Sequence, residues 1–584
     1  MPPLWRQPQL DHPHQLRPMR DARRHAIDVL KVLLGLLGLY ILSSSLYGTL
    51  ENYSPAQFRD QWDGGVGFYL EVNKGNWWAF WHQHNEHRIL FSKLFFYADF
   101  RWLGGRNIGT IGANWLMLSA NAALLAVLAV RRREASWTDL SFCFGLVLAL
   151  CCSWTQYENL VCGFQSQFFA VYFFALSSFY AVLRSTESPS ASWRYIVLAA
   201  VCGTASALSM ASGLFALPMA FAFAAWMRVG VRRLLFLLLA TCVVWCLYLS
   251  DYHLVFGPGT LREALLHRTI DILRFVALYL GSPVFFITLN QWHAGVFGVA
   301  LFIACSATVV QVIRRRERDT GAVLSAMLVF LVGTAFLTGA GRIPLGVGTA
   351  LSSRYCTTAL IIAACLLLYY LRRMPPRDPR IVTTVTLVVF LLSIGQNSAR
   401  SHHDWAYLRD LGALAARLGV FDDSFIANIY PRTSRVEELM QQASREAVHF
   451  GEQELAPMRS VFSSTSVTCL GRIERVDATS SPDHLQVSGW IYAKDRGEVP
   501  HRLLLTDTEN RVVGEAVSGH ARPDVVRALG QRERGYGWKG FAQASAKRLR
   551  AYGLLNDGSY CRIADDHEMP AFKLNPVAGV GTAH

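Results

Sequence analysis

Apolar runs close to the length of a membrane-spanning helix recur along most of this chain, and short polar stretches separate them. A bilayer crossing takes about 20 apolar residues, and we read about eleven such runs. They lie near 27–48, 108–130, 137–155, 162–183, 192–209, 211–228, 232–250, 292–313, 321–340, 354–371 and 380–396. The first would also suit a secretion signal, but it is long and no small-residue cleavage site follows it. Beyond 397 the pattern changes to helical spacing, with Leu408, Leu411, Leu414 and Leu418, then Val436, Leu439 and Met440. From about 466 it changes again. Short alternating runs such as Leu485 to Trp490 and Arg502 to Thr506 are divided by turn residues such as Ser480-Ser481-Pro482-Asp483, which predicts a small all-β sandwich. The expected fold is mainly α: a polytopic transmembrane helix bundle with a C-terminal all-β, sandwich-like domain. Its divisions are a basic tail (1–26), a membrane domain (27–397) with a first outer loop (51–107), a helical linker (398–465) and a β-domain (466–584).

Composition agrees with the pattern, since 52% of residues are hydrophobic and only 17% are charged. The formal net charge of +14 would admit nucleic acid as a partner, but the position of the charges argues against it. Arg23-Arg24, Arg131 to Arg133, Arg184 with Arg194, Arg228 with Arg232-Arg233, Arg314 to Arg316 and Arg372-Arg373 all flank spans. Eleven spans with a cytoplasmic N-terminus put every cluster on the cytoplasmic face, where arginines set topology and meet lipid head groups. The segment 271–290 is apolar enough to be a twelfth span, but counting it would move Arg314 to Arg316 outside. We therefore expect 251–291 to be an outer loop with a helix that lies on or dips into the membrane, and 397–584 to lie outside the cytoplasm. Ten of the twelve cysteines sit in or beside spans as small core residues; Cys469 and Cys561 bracket the β-domain and are candidates for a disulfide.

Polar chemistry gathers on one side. The outer stretches are 51–107, Tyr157-Glu158-Asn159 with Gln165 and Gln167, 251–267, and Gly339 to Arg354, while the inner loops are short and basic. A transporter with alternating access would place ionisable groups near the midplane. A catalytic cavity open to one side needs only one polar face. Asp60 is a candidate general base that takes a proton from an acceptor hydroxyl, with Asp63 and Glu71 as rivals and Trp62, Trp77, Trp78 and Trp81 as company. In His84-Asn85-Glu86-His87-Arg88, a helical conformation would put His84 on one face with His87 and Arg88. Two histidines and an acid would suit a divalent metal, whereas His87 and Arg88 would suit a phosphate. The third reading is an interfacial helix with its charges among head groups. Arg342 and Arg354, in the stretch from Gly339 to Tyr355, are candidates to clamp a phosphate or pyrophosphate leaving group; the alternative is pairing with Glu158 or an outer-loop Asp. His402-His403-Asp404 is a second metal candidate or a linker surface.

Asp60-Gln61-Trp62, Gln83 to Arg88, Glu158-Asn159, Gly163 to Phe168 and Ser353-Arg354-Tyr355 carry a resemblance. Over roughly 27–450 the chain resembles bacterial GT-C-type glycosyltransferases, and more narrowly a set of bacterial membrane proteins sharing these motifs. The resemblance implies a sugar donor on a polyprenyl phosphate, a catalytic acid in the first outer loop, matched in position by Asp60, and interfacial helices after the first span. Gln61 follows Asp60 where a second acid is usual, so Asp60 and Asp63 both stay open. The β-domain, with Gly489-Trp490 and Arg522 to Val525, looks like domains appended to glycan-handling proteins; Trp490, Tyr492 and Trp538 would stack on sugar rings or pack a core.

The expectation is therefore a membrane glycosyltransferase of a bacterial inner membrane with its β-domain in the periplasm. It would move a sugar from a polyprenyl-phosphate donor to a glycan, lipid or protein acceptor of the envelope. Asp60 or Asp63 would be catalytic. His84, Glu86, His87, Arg88, Glu158, Gln165, Arg342, Arg354 and Tyr355 would bind substrate and phosphate, and a divalent metal is a possible cofactor. The alternatives are a flippase for a lipid-linked glycan, or an envelope scaffold with a glycan-binding β-domain.

Overall fold

The computed structural model describes residues 16–131, 136–253, 257–373, 385, 389, 403–451, 467–532, 534–564 and 567–568. Apart from Val385 and Val389, which are buried, the expected span 380–396 lies outside the residues whose side chains are described, and so does the His402-His403-Asp404 candidate. Among the described residues, nine helices are long and apolar enough to cross a membrane: His25–Glu51, Ile108–Val130, Trp137–Val161, Ser166–Glu187, Val231–Leu249, Thr269–Thr288, Gln291–Arg315, Thr320–Leu345 and Ser353–Leu371. This is the architecture of a multi-pass membrane protein.

Two expected spans are shorter. The runs 192–209 and 211–228 form the helices Ser192–Ala207 and Ala216–Trp226, of 16 and 11 residues. At 1.5 Å per residue they reach roughly 24 and 16 Å, short of a hydrocarbon core about 30 Å thick. The turn Ala211–Phe215 joins them. It folds tightly because Gly213 lies against the preceding helix: a Cβ there would sit 1.9 Å from the Ser206 carbonyl oxygen.

The helix Thr269–Thr288 has the length of a span, yet both ends touch the end of the bundle that carries residues 52–107, hereafter the loop face. Near its start Arg268 donates to the Ile343 carbonyl at 3.2 Å. In its middle the Tyr279 ring lies 4.8 Å from that of Tyr355, and near its end Phe286 packs on Tyr157. It forms a hairpin with Gln291–Arg315, so close that a Cβ on Gly281 would meet the Ala294 carbonyl and one on Gly298 the Ala277 carbonyl, each at 1.8 Å.

The first loop folds into short elements: a π-helical turn Trp62–Gly67, the helix Phe68–Asn73, a 3-10 turn Trp77–Phe80 and the helix Leu90–Leu103. Trp62, Val66 and Leu70 are buried against the linker residues Leu411, Leu414, Ile429 and Leu439. Val517 and Phe541 of the C-terminal domain join the same core. The linker helices His403–Arg417 and Thr433–Arg445 are therefore a wedge between the first loop and the β-domain. Glu515 ties this contact by accepting from Arg417 at 2.7 Å and Arg502 at 2.7 Å.

The β-domain closes on itself instead of forming a sandwich. Its strands are β1 (Val467–Ala478), β2 (His484–Tyr492), β3 (Arg502–Thr506), β4 (Val512–His520), β5 (Gly537–Gln543), β6 (Arg548–Leu554), β7 (Tyr560–Ile563) and β8 (His567–Glu568). The order β3-β4-β5-β2-β1-β7-β6 is joined into a barrel by pairing of β3 with β6, and β8 adds to β6. Alternation along strands is common to sandwiches and barrels, and only the distant β3–β6 ladder separates them. Cys469 and Cys561 form a disulfide between neighbouring strands. Trp538 and Tyr492 are buried, at 1% and 4% exposure, so both are packing residues rather than open sugar platforms.

Candidate functional site

A cavity of about 320 Å³ lies at the loop face and brings together segments far apart in sequence. Its wall includes Asp60, His84, Glu86 and His87 from the first loop, Gln165 and Gln167 at the start of Ser166–Glu187, Ser212 from the tight turn, and Arg342, Arg354 and Tyr355. The rest is mostly apolar, with Phe164, Phe168, Leu214, Phe215 and Leu337. The lining thus combines charged groups with apolar surface.

The backbone around Asp60 is held by its neighbours. The Arg59 N–H donates to the Ile429 carbonyl at 2.7 Å, the Gln61 amide donates to Asn107 at 2.6 Å, and the buried Trp62 indole donates to the Gln57 carbonyl at 3.1 Å. Gln61 and Trp62 are thus spent on framework, and Asp60 is the member of its motif on the cavity wall. Its charge acts on both His84 and Arg354.

Asp63 is placed differently. It pairs with Arg435 at 2.8 Å, accepts from the Tyr430 hydroxyl, and has Arg432 at 3.8 Å. Burial raises the pKa of its carboxyl, but the hydrogen bonds from Tyr430 and Arg435 outweigh this and hold it below the usual range. Asp63 is a tie between loop and linker and does not line the cavity, whereas Asp60 does.

The segment 84–88 is not helical. His84 and His87 exchange both backbone hydrogen bonds, at 2.8 and 2.9 Å, around Asn85 at φ +47°. A positive φ at an asparagine suits a tight turn, and the histidines face each other across it. Arg88 is 3% exposed, and its guanidinium donates to the carbonyls of Tyr248 at 2.8 Å, Trp81 at 2.7 Å and Ser250. The expectation that Arg88 meets phosphate is corrected: its donors anchor the loop to the end of Val231–Leu249. Burial, then Arg342, push the His87 pKa down to about 3, so the ring is neutral. Its Nδ1 accepts from the Ala211 N–H at 3.3 Å, which leaves the ring proton on Nε2. Burial also lowers the pKa of His84, against the pull of Asp60.

Two arginines supply the positive charge. Arg342 lies 3.1 Å from Glu86, and Arg354 lies 3.5 Å from Glu158, which sits behind the wall. The Arg354 pair is the expected alternative with Glu158, whereas Arg342 is matched to Glu86 rather than to an aspartate; both arginines still line the cavity. The Nε of Arg354 is buried without a hydrogen-bond partner, and so are Gln165 Oε1, Gln167 Oε1 and Ser212 Oγ. Tyr355 is 5% exposed, against Tyr279. No three His, Cys, Asp or Glu side chains among the described residues converge at metal-binding range, His84, Glu86 and His87 included. No step below is routed through a metal.

The sequence reading missed Ser212 and the Thr334–Thr338 stretch of the wall, because both fall inside apolar runs. The Ser209 to Gly213 interruption was the only local signal of a turn there.

No family model matches the chain, and no curated protein matches it. Two solved structures of an oligosaccharyltransferase from the archaeon Archaeoglobus fulgidus are similar to it. One, a complex with zinc and sulfate, is 12% identical at a TM-score of 0.31, over 73% of this chain and 54% of that one. The other, AglB with an inhibitory peptide and a dolichol-phosphate, is 12% identical at a TM-score of 0.33, over 71% and 56%. The chain spans about half the length of these structures.

Proposed function

We propose that this protein is a membrane glycosyltransferase that moves a sugar from a polyprenyl-phosphate donor to a hydroxyl of an envelope glycan, lipid or protein. The observation that carries the reading is one cavity, mostly apolar, shared by Asp60, Arg342 and Arg354. Asp60 takes the proton of the acceptor hydroxyl. The acceptor oxygen bonds to the anomeric carbon, and the bond from that carbon to the phosphate oxygen breaks. The phosphate leaves with the electron pair. Arg354 and Arg342, both on the cavity wall, then stabilise the charge that develops. The aromatic and leucine side holds the first isoprene units, and the cavity faces the periplasm of a bacterial inner membrane.

The test is turnover by the purified full chain of a polyprenyl-phosphate sugar labelled in the lipid. Release of free polyprenyl phosphate that depends on an added acceptor supports the reading. Binding of the donor without release, with the lipid moved between leaflets of a vesicle, would replace it with a flippase.

A further inference from the structure

The polar groups of the cavity fall into two sets. Asp60, Arg342 and Arg354 are charged. Gln165, Gln167, Ser212 and His87 carry no charge, because His87 is held neutral by burial and by Arg342. Gln165, Gln167 and Ser212 are 5%, 3% and 8% exposed, and each has an oxygen without a hydrogen-bond partner. All three side chains line one wall of a largely apolar cavity, and such a polar cluster suits a ligand that supplies several hydrogen-bonding groups at close spacing. Two amides and a hydroxyl together offer both donors and acceptors, and His87 adds an N–H at Nε2. Phe215 lines the same cavity and offers an apolar face that suits the C–H face of a ring.

We infer that Gln165, Gln167, Ser212 and His87 form a subsite for the hydroxyls of the sugar ring being transferred. This rests on the proposed donor and goes beyond it by assigning sugar recognition to these side chains and phosphate recognition to the charged ones.

The experiment measures binding of the full chain, in lipid nanodiscs, to two kinds of probe. One is bare decaprenyl phosphate. The other is decaprenyl phosphate bearing glucose, mannose, galactose or arabinose. The wild type should bind one sugar-bearing lipid at least about tenfold tighter than the bare phosphate, as expected when a buried group gains its missing partner. Gln167→Met and Gln165→Met keep side-chain length and remove the amide. Each should reduce that gap by about tenfold and leave bare-phosphate affinity unchanged; Ser212→Ala serves as a third variant with little change in volume. The inference is overturned if no sugar improves on bare phosphate, if the gap survives all three substitutions, or if they weaken both probes equally. Failure of bare decaprenyl phosphate to bind the wild type would instead remove the donor class proposed above, and this subsite with it.

Discussion

Arg342 offers the sharpest separation between a structural and a catalytic role. Its guanidinium sits 3.1 Å from Glu86, and the two side chains are 27% and 19% exposed. A pair that open to solvent contributes at most about 1 kcal/mol to stability. Arg342→Met should therefore fold, with a thermal midpoint near that of the wild type. If Arg342 also faces the departing phosphate, the loss in turnover should match the removal of one aimed donor, on the order of 100-fold or about 3 kcal/mol. Such a loss has a simpler explanation, that uncompensated Glu86 repels an anionic lipid. The double variant Arg342→Met with Glu86→Gln distinguishes them. With both charges gone, repulsion by Glu86 is relieved but the missing donor is not restored. Rates of polyprenyl phosphate release by the four proteins should place the double variant within a few fold of Arg342→Met alone. A double variant that returned to wild-type turnover would refute the phosphate role and leave Arg342 as the counter-ion of Glu86.

Other expectations concern stability and pH. Asp63→Asn should lower the thermal midpoint, since hydrogen bonds to a charged group contribute roughly 2 kcal/mol, while turnover of the folded fraction persists. Because the folded carboxyl titrates below 3.8, the stability it contributes is present above that pH and is lost as pH falls through the folded value; the acid limb of an unfolding profile should weaken in the variant. Lys93 points the other way. Burial, then Arg88, lower its pKa from 10.5 to about 7, so between those values the unfolded chain binds more protons and stability rises with pH. Lys93→Met should flatten that rise, measured by tryptophan fluorescence during heating at pH 7 and pH 9. Reduction of Cys469–Cys561, which closes a 92-residue separation, should destabilise the barrel by roughly 4 kcal/mol, read as earlier unfolding in calorimetry with reductant present.

Much of the cavity was legible because its residues break the apolar pattern on one side of the bundle. Asp60, Glu86, Arg342 and Arg354 stand out as charges flanking spans at the loop face, and the one-sidedness itself implied a shared site. What sequence could not supply were partners distant along the chain. Asp63 looks like a rival to Asp60 until Arg435, from the linker, is found against it. Arg88 looks like a phosphate ligand until its carbonyl acceptors are seen at Tyr248 and Ser250. Helical spacing was a fair expectation for His84 to Arg88, but the reciprocal bonds of His84 and His87 close a turn instead. Ser212 was hidden because hydropathy averages over a window and cannot register a turn fixed by one close glycine contact. Strand alternation foretold the β-domain, whereas its closure depends on the ladder from Arg502↔Leu554 to Thr506↔Arg550, which no local pattern encodes.

The most direct test is a structure of Asp60→Asn trapped with a polyprenyl-phosphate sugar, in which chemistry is blocked but binding is intact. The account predicts the phosphate between Arg342 and Arg354, with the anomeric carbon turned toward residue 60 and the isoprene chain along Phe164 and Phe168. Donor lipid seated elsewhere on the protein, with this cavity empty, would contradict it.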